Sequence, residues 1–316
     1  MQHISLTAKI SEELAGKRLD QAVSALFPDY SRTRLQEWIK SGELKVDGKT
    51  LEQREKVIAG QIIEINATVT SKENWQAQDL KLDVIYEDAD ILVINKPIGL
   101  VVHPAHGNYD NTLLNALLYY APELASVPRA GIIHRLDKDT SGLLLVARNL
   151  ESHTKLTRLL KDHNIEREYE AIVVGVMTSG GTVDAPIGRN PHKRLQMAVL
   201  EDSDEETKEA VTHYRVLERF SAHTRVKLQL ETGRTHQIRV HLAHIGYPIV
   251  GDKTYGGRMK LPTGASAKLI ETLRSFPRQA LHACRLSFKH PRTGKKVEFK
   301  SPIPEDIKNL INLLRP

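Results

Sequence analysis

Two segments near the start of the chain repeat apolar residues with helical spacing. The first predicts a helix within residues 16–27, with apolar positions at Leu19, Ala22, Val23 and Leu26. The second predicts a helix over residues 32–40, with Ser31 as its N-cap. Its apolar face is formed by Leu35, Trp38 and Ile39, and its solvent face by Arg32, Arg34 and Lys40. The two segments therefore predict a small helical unit with a local basic face.

Strand-like patterns follow these helices. Residues 44–49 predict a strand that runs into an Asp47-Gly48 turn, and residues 61–65 predict another strand. From residue 66 to residue 79 the sequence is polar and loses its periodicity, which is typical of a linker. We therefore place a small α/β domain at 1–66, a linker at 67–79 and a larger domain at 80–316.

The larger domain is predicted to be rich in strands with interspersed helices. Predicted strands are Ile91–Asn95, Leu143–Ala147, Tyr169–Gly175, Val211–Leu217, Arg225–Glu231, Cys284–Lys289 and Val297–Lys300. Predicted helices are Thr112–Tyr120, Leu150–His163, Thr235–Ile245 and Pro304–Leu314. Strands and helices do not alternate regularly, so an α+β fold is favoured over a repeated βαβ fold. An acidic run at 201–206 predicts a solvated loop.

The distribution of charge permits a polyanionic partner but does not establish one. The chain has 45 Lys and Arg against 39 Asp and Glu, a formal net charge of +6. Residues 1–75 hold eleven basic and eleven acidic side chains, so the whole excess lies in 76–316. Any binding of a polyanion by the first domain must therefore use a local face, and the basic face of the second helix is the candidate.

Composition also excludes several classes of protein. Apolar residues make up 40% and charged residues 27% of the chain, which argues against a membrane protein and against extensive disorder. No apolar run reaches the roughly 18 residues of a membrane span, and the first residues do not form a secretory signal. A single cysteine, Cys284, excludes an internal disulfide and a thiolate zinc cluster. We expect a cytoplasmic protein that does not bind membranes.

The densest group of reactive side chains lies between two apolar strands. This segment, residues 131–142, reads GIIHRLDKDTSG. Asp137 or Asp139 can act there as a nucleophile or a general base, with neighbouring cations fixing its ionisation. The alternative is a solvated turn in which these aspartates accept hydrogen bonds from the local backbone.

A second dense segment, residues 231–241, reads ETGRTHQIRVH. If Thr235 caps a helix here, Arg239 lies one turn in, beside a buried stripe of Ile238, Leu242 and Ile245. A buried arginine needs an anionic partner. His241 and His244 have a spacing that a metal ion can use, but without thiolates or a glutamate motif ordinary helix histidines are favoured.

Two shorter segments also carry candidate side chains. Lys96 lies in a turn that proline and glycine make rigid, at residues 94–104. Tyr169 lies among charged residues at the start of a predicted strand. A tyrosine in that position usually packs in the core, but it can also stack on a nucleic-acid base.

Together these motifs resemble those of the RluA-type pseudouridine synthases. The most specific match is His134-Arg135-Leu136-Asp137-Lys138-Asp139-Thr140-Ser141-Gly142. The other matching segments are Asn95-Lys96-Pro97, Arg167-Glu168-Tyr169, Gly233-Arg234-Thr235-His236-Gln237-Ile238-Arg239 and Gln279-Ala280-Leu281-His282-Ala283. The first domain resembles the small S4-type RNA-binding domain, through Arg18-Leu19-Asp20 and Ser31-Arg32. The resemblance covers nearly the whole chain.

The resemblance implies a role for each matching residue. Asp137 would be the catalytic aspartate, Arg135 would enter the RNA to displace the target nucleotide, and Tyr169 would stack on the flipped uracil. Arg239 would pair with the catalytic carboxylate, and Leu281 would pack against the uracil pocket. Cations suited to phosphate contacts are Lys96, Lys138, Arg194 and Arg234. In the first domain, Arg32 and Arg34 would contact RNA.

The resemblance also implies a fold and a reaction. The fold would be a mixed, mostly antiparallel sheet in two halves with flanking helices and a catalytic cleft between the halves. The reaction would isomerise uridine to pseudouridine in 23S large-subunit ribosomal RNA, at the helix 69 stem-loop, and would need no metal or other cofactor. Uridines elsewhere in ribosomal RNA or in tRNA are the alternative targets. The enzyme would be a monomer that binds ribosomal RNA.

Two other classes of protein remain as alternatives. Asp137 and Asp139 form an Asp-x-Asp pair, which aspartyl-phosphate phosphatases use with magnesium, although no matching second motif is present. The first domain and the basic balance of the chain would also suit a non-catalytic RNA-binding factor in ribosome assembly.

Overall fold

The computed structural model describes residues 2–28, 30, 32–69, 75–104, 108–193, 196–200, 207–257 and 261–315. Ser31, Arg194 and the acidic run at 201–206 lie outside the described residues. The predicted N-cap, one predicted phosphate contact and the predicted acidic loop are therefore not addressed by the structure.

The N-terminal unit combines two helices with a three-stranded antiparallel sheet. Its elements are β1 (Gln2–Lys9), α1 (Leu19–Leu26), α2 (Arg32–Ser41), β2 (Leu44–Val46) and β3 (Ile62–Val69). The strand order is β1-β3-β2. Leu35, Trp38 and Ile39 are buried in this unit as predicted. Asp47 and Gly48 both have positive φ angles, which confirms the predicted Asp-Gly turn.

The rest of the chain forms a larger α+β unit. Its strands are β4 (Val84–Glu87), β5 (Ile91–Lys96), β6 (Ser141–Ala147), β7 (Ile165–Val174), β8 (Gly181–Asp184), β9 (Ile187–Arg189), β10 (Met197–Val199), β11 (Val211–Arg219), β12 (His223–Leu230), β13 (Leu281–Lys289) and β14 (Lys296–Lys300). Its helices are α3 (Leu113–Tyr120), α4 (Leu150–Lys161), α5 (Gln237–His244), α6 (Ala267–Ser275) and α7 (Glu305–Leu314).

A mixed nine-stranded sheet forms the centre of this unit. The strand order is β4-β5-β6-β13-β7-β12-β11-β8, and β14 also pairs with β13. The pairing of β6 with β13 is parallel and covers two residue pairs, whereas the other described pairings in this sheet are antiparallel. The sheet thus has two halves joined at one short contact, which confirms the predicted mixed, mostly antiparallel and bipartite fold.

Helices cover both faces of the β5–β6 half. Leu92 and Ile94 of β5 belong to the same apolar cluster as α3, whereas Ile91 and Val93 belong to the cluster that contains Leu156 of α4. Burial on both faces explains why these strands are nearly continuous apolar runs rather than alternating ones. No helix in the described part of the chain is long and apolar enough to cross a membrane.

The boundary between the two units differs from the predicted linker at both ends. β3 pairs with β1 as far as Val69, so the first unit extends past residue 66. Trp75 packs against the core of the larger unit, and the amide of Gln78 donates to Asn115 O at 3.0 Å. Residues 75–79 are therefore attached to the larger unit.

The two units are in direct contact through α4. Leu150, the first residue of α4, belongs to the apolar cluster of the N-terminal unit. Arg158 of α4 donates from Nη2 to Pro28 O at 3.2 Å. The N-terminal unit therefore packs against the helix that directly follows β6 in the chain.

Candidate active site

The segment that contains Asp137 lies where the two halves of the sheet meet. It connects a 3-10 turn at Pro128–Gly131 to β6, a strand that is buried along its whole length. Gly142 of β6 has a φ of +113°, and a Cβ there would lie 2.2 Å from Ala283 O of β13. Glycine at this position permits the close approach of β6 to β13. The loop before β6 is thereby fixed against both halves of the sheet.

A cleft of about 860 Å³ opens beside this loop, a volume typical of a small-molecule or nucleotide site. Four of the sequence-predicted site residues line it, namely Arg135, Asp137, Tyr169 and Arg234. They come from the loop before β6, from β7 and from the segment that precedes α5. The fold therefore brings three distant motifs to one cleft.

The carboxylate of Asp137 has a fixed basic neighbour. Its Oδ2 accepts a hydrogen bond from Arg239 Nη1 at 3.1 Å, and its Oδ1 lies 4.0 Å from His236 Nε2. The side chain retains 16% of its accessible surface. It can therefore be reached from the cleft while Arg239 holds its orientation.

Arg239 is itself held from behind by Asp252. Arg239 Nε and Nη2 donate to the two carboxylate oxygens of Asp252 at 2.7 and 2.9 Å, and the guanidinium lies 5.0 Å from the centroid of the Tyr255 ring. Burial alone would lower the pKa of Arg239, but the carboxylates of Asp252 and Asp137 raise it above its ordinary value. This provides the anionic partner that a buried arginine requires.

Asp252 is almost fully buried, and its negative charge is stabilised by hydrogen bonds. Burial alone would raise the pKa of Asp252, but the hydrogen bonds from Arg239 and from the backbone amides of Tyr255 and Thr254 hold it below its ordinary value. Asp252 therefore stays ionised and fixes the plane of the guanidinium that faces Asp137.

His236 lies beside Asp137 in a left-handed backbone conformation, with φ +58°. Its Nδ1 is 2.8 Å from the hydroxyl of Tyr255, which accepts a hydrogen bond from the amide of Met197 at 2.9 Å. If the hydroxyl then donates its proton to Nδ1, Nε2 carries the ring proton and points towards Asp137. Burial lowers the pKa of His236, although Asp137 acts in the opposite direction.

The start of α5 differs from the prediction. The helix begins at Gln237 with His236 as its N-cap, not at Thr235. The Gln237 side chain accepts hydrogen bonds from the Thr232 hydroxyl and from the amide of Arg234. These bonds hold the preceding residues in a turn, so the helix cannot extend back to Thr235.

The other predicted substrate residues take different positions. Tyr169 of β7 is 4% exposed and lines the cleft, and burial raises the pKa of its hydroxyl. Arg135 is exposed at the rim. Arg234 is also exposed there and donates from Nε to Glu209 O at 3.0 Å. Leu281 is buried in the main core and is not among the described residues that line the cleft, so its contact with uracil stays a prediction.

Lys96 does not lie where a phosphate contact was predicted. Its side chain is fully buried at the end of β5, and its ammonium donates to the carbonyl oxygens of Pro97, Leu100 and Lys138 at 2.8, 3.0 and 3.0 Å. Burial lowers the pKa of Lys96 to about 7, but three carbonyl acceptors require the three donors of the charged form. Lys96 therefore holds the backbone next to Asp137 instead of binding RNA.

Of the two predicted arginines of the N-terminal unit, Arg32 contacts a buried carboxylate and Arg34 contacts a partly exposed one. Asp20 is fully buried and accepts hydrogen bonds from Arg18, Arg32 and Gln36. Burial alone would raise the pKa of Asp20, but the hydrogen bonds from Arg32 and Arg18 lower it below its ordinary value. The Arg32 side chain is 56% exposed, and Arg34 lies near Glu37 with an Nη1–Oε2 distance of 3.5 Å. Asp20 thus orients an arginine at the surface.

The histidines and carboxylates with a spacing suited to metals have other partners. His241 is buried and forms hydrogen bonds with Thr212 Oγ1 and Ala185 O, each at 2.9 Å. Among the described residues, one group could hold a metal ion, and it consists of Asp88, Asp90 and His290. It is not part of the cleft, and Asp88 Oδ1 there accepts from the amides of Asp90 and Ile91.

Sequence reasoning did not identify several residues of this site. Asp252 and Tyr255 contact Arg239, and His236 faces Asp137. The sequence indicated that a buried Arg239 needs an anionic partner, but it did not indicate which carboxylate provides it. Arg167 was noted only as part of a matching motif, yet its buried side chain lines the cleft.

Comparisons with known proteins identify both units of the chain. Residues 90–244 match the family model described as RNA pseudouridylate synthase, and residues 17–63 match the S4 domain. A protein of Pseudomonas aeruginosa named ribosomal large subunit pseudouridine synthase D is 56% identical over 312 residues, which cover 99% of this chain and 96% of that protein. The protein of the same name from Escherichia coli strain K12 is 53% identical over 315 residues, which cover 99% and 95%.

A solved structure supports the same assignment. The human protein named RNA pseudouridylate synthase domain containing 4 superposes with a TM-score of 0.57 and 27% identity, over 73% of this chain and 92% of that chain. The chain therefore belongs to the RNA pseudouridylate synthase family and carries an S4 domain ahead of its synthase domain. It is an enzyme of the RluA type, and its curated relatives carry the name ribosomal large subunit pseudouridine synthase D.

Proposed function

We propose that this enzyme isomerises uridine to pseudouridine in large-subunit ribosomal RNA, with Asp137 as its catalytic residue. The observation that supports this role is the position of the Asp137 carboxylate. It faces an open cleft, accepts a hydrogen bond from Arg239 at 3.1 Å and is backed by the buried Asp252. The names and the high identity of the relatives support ribosomal RNA as the substrate.

The reaction breaks the N1–C1′ bond of uridine, rotates the base, forms a C5–C1′ bond, releases the proton of C5 and adds a proton at N1. It involves no net oxidation or hydrolysis, so a positioned carboxylate is chemically sufficient. Such a group can attack the sugar carbon, add to the base or remove a ribose proton. Each route requires the carboxylate to meet the nucleotide in a fixed geometry, which the hydrogen bond from Arg239 supports.

The target nucleotide must leave its stack to reach Asp137, at a cost of a few kcal/mol. Arg135 lies at the rim two residues before Asp137, where it can occupy the space that the base vacates. Tyr169 lies within the cleft, where its ring can stack on the extruded uracil, a contact worth about 1–3 kcal/mol per base. Arg234 is exposed at the same rim and suits a phosphate contact.

The N-terminal S4 domain supplies a second region for binding RNA. The packing of Leu150 and Arg158 against the N-terminal unit places this domain next to the synthase domain. We propose that Arg32 and Arg34 contact the RNA backbone there. The helix 69 stem-loop is the proposed target, and ribosomal RNA in a cytoplasmic particle is the proposed partner.

The test is the Asp137→Asn variant. Its side chain keeps the size of aspartate, so we expect folding and RNA affinity close to those of the wild type and no pseudouridine. Product would be measured by mapping pseudouridines in 23S rRNA from cells that lack the protein and from cells complemented with each form. Wild-type levels of pseudouridine with Asp137→Asn would refute the catalytic role.

The same complementation separates the alternatives. If wild-type protein restores pseudouridines outside helix 69, the target differs from the one proposed. If Asp137→Asn restores growth or subunit assembly without making pseudouridine, the non-catalytic role in assembly is the principal one. Tyr169→Phe serves as a second probe. Its ring still stacks, so we expect at most a partial loss of rate, and a complete loss would assign the role to the hydroxyl.

A further inference from the structure

A turn with a strained backbone presents Arg129 to the cleft. Arg129 and Ala130 both have left-handed backbone conformations, with φ angles of +55° and +50°. Residues other than glycine rarely adopt this region, because Cβ then crowds a backbone oxygen. Arg129 is exposed at the cleft, and within the described part of the chain its guanidinium has no hydrogen-bond or ion-pair partner. Strain at a position that exposes a cation to a cleft indicates a functional residue.

Gly131 fixes this turn against the sheet. Its φ is +77°, and a Cβ there would lie 1.9 Å from Ala147 O of β6. The amide of Ile132 donates to Arg129 O at 3.1 Å and closes the turn. The backbone at Arg129 is therefore held by β6, the strand that follows the Asp137 loop.

One face of α4 continues the cleft beyond Arg129. The turn packs against α4, on which His153, Thr157 and Lys161 are spaced by four residues and so share one face of the helix. Thr157 and Lys161 are exposed and line the cleft. The Lys161 ammonium, like the Arg129 guanidinium, has no hydrogen-bond or ion-pair partner among the described residues. The wall of the cleft therefore carries two cations that are available to an anion.

The S4 domain meets the cleft at the same face of α4. Leu150, one turn before His153, packs in the apolar cluster of the S4 domain. Burial, and then the positive charges of Arg129 and of Arg34 of the S4 domain, lower the pKa of His153 to about 4. No carboxylate among the described residues opposes these charges at His153. Arg129 and Arg34 therefore both lie near one imidazole that is neutral at pH 7, and the potential around it is positive.

We propose that Lys161, Arg129 and Arg34 form a track that binds successive phosphates of one RNA strand, from the cleft to the S4 domain. We call these three residues the α4 track. The inference rests on the proposed function and extends it, because it assigns the route of the RNA between the two domains.

The chemistry of the α4 track fits a phosphate backbone. Lysine, arginine and a threonine hydroxyl bind phosphate oxygens without reading the sequence of bases. The two helical turns between His153 and Lys161 span about 12 Å, a length that several phosphates of one strand cover. Like charges along this seam repel each other in the free protein, and a polyanion removes that repulsion.

The test measures the affinity of the full-length protein for a stem-loop RNA with the helix 69 sequence, over a range of salt concentrations. The variants are Arg129→Gly, Arg129→Lys, Lys161→Gln and Arg34→Gln. Arg129→Gly removes the charge and suits the left-handed backbone, so the turn is retained. The control is Lys268→Gln. Lys268 is exposed on α6, does not line the cleft and has no ion-pair partner among the described residues.

We expect each loss of charge on the α4 track to raise the Kd about fivefold, the upper limit for one exposed ion pair. The slope of log K against log salt should become shallower by about 0.7–0.9 for each cation removed. Arg129→Lys should keep most of the affinity, and Lys268→Gln should match the wild type. Arg129→Gly should melt at the wild-type temperature or above it, because its backbone strain is relieved, so unfolding would not explain its weaker binding.

A second measurement locates the contacts on the RNA. Single methylphosphonate linkages remove the charge of one phosphate at a time. A linkage at the phosphate that Arg129 binds should weaken binding by the wild type but not by Arg129→Gly, because that contact is already lost. The same comparison assigns the phosphates of Lys161 and Arg34. We expect all three phosphates on one strand, in the order Lys161, Arg129, Arg34.

Wild-type affinity in Arg129→Gly, Lys161→Gln or Arg34→Gln would overturn the inference, and so would an equal loss in the control. Assignment of the three phosphates to different strands would overturn it as well. These readouts are affinities and do not depend on conversion of uridine. If the wild type binds the RNA but converts none of its uridines, the proposed function fails instead, so the two failures are distinguishable.

Discussion

Asp252→Asn tests whether the carboxylate behind Arg239 positions Asp137, the proposed catalytic group. Asp252 Oδ1 accepts from Arg239 Nη2 and from the amides of Thr254 and Tyr255, and Oδ2 accepts from Arg239 Nε at 2.7 Å. An asparagine can keep Oδ1 towards the backbone amides. Its NH₂ group then faces Arg239 Nε, so two donors meet and the guanidinium loses a buried counter-charge.

The magnitude follows from these contacts. Removing one partner of a buried ion pair costs about 3–5 kcal/mol. Asp137 remains 3.1 Å from Arg239 Nη1 and compensates in part, so we expect the free energy of unfolding to fall by about 3 kcal/mol. Arg239 would also lose its fixed orientation. A displacement of about 1 Å at a reacting group costs about 100-fold in rate, so we expect a single-turnover rate about 10–100-fold lower.

The assay combines urea unfolding, single-turnover conversion of the RNA stem-loop and an RNA-binding titration. Asp90→Asn is the matched control. Asp90 is buried and binds Arg292 with two hydrogen bonds of 2.5 and 2.9 Å, but neither residue lines the cleft. We expect the control to lose some stability and to keep the wild-type rate at saturating RNA.

Three results would refute this reasoning. A wild-type rate in Asp252→Asn would show that Arg239 needs no support from behind. An equal loss of rate in Asp90→Asn would show that the effect reflects general destabilisation. A loss confined to RNA affinity would place Asp252 in substrate binding instead of in positioning.

Three further predictions concern stability, RNA affinity and the loop before β6. Burial lowers the pKa values of His134 and His282 to about 3 and about 4. Between pH 6.5 and 4 the unfolded chain therefore binds more protons than the folded chain. Urea unfolding should show that the free energy of unfolding falls as the pH is lowered, by about 1.4 kcal/mol per pH unit for each histidine. A free energy of unfolding that does not change over this range would contradict the prediction. Asp20→Asn should raise the Kd for RNA several-fold in titrations and leave the saturated rate unchanged, since it frees Arg32; a lower saturated rate would contradict it. Lys96→Met should lower the single-turnover rate about 10-fold and leave the affinity for RNA unchanged, because three carbonyl oxygens lose their donor. A loss of RNA affinity alone would instead indicate that Lys96 contacts a phosphate.

The regular elements of the fold could largely be predicted because their apolar residues repeat with a clear period. The amphipathic helix α7 is an example. The buried strands β5 and β6 could be predicted for another reason, because they are short continuous apolar runs. β1 was missed although Ile4, Leu6 and Ala8 alternate in it. The short strands β8, β9 and β10 carry too few residues for a period to be visible.

The candidate site could be predicted in part. The loop around Asp137 and the segment around Arg239 stand out by their density of charged groups. The pairing of Arg239 with Asp252 depends on a turn beyond α5, which no local pattern specifies. Lys96 was misplaced because a lysine normally indicates a surface, whereas here it ends a buried strand and carbonyl oxygens satisfy it.

The parallel contact between β6 and β13 has a consequence for synthesis of the protein. Ser141 of β6 bonds to His282 of β13 across 141 residues of chain, and this contact joins the half of the sheet next to the Asp137 loop to the half that carries Tyr169. Pairings between residues so far apart form late and slowly in folding. A nascent chain on the ribosome therefore holds an incomplete cleft until β13 has emerged, about 140 residues after the Asp137 loop. The enzyme can begin to modify RNA only after that second half of the sheet has been made.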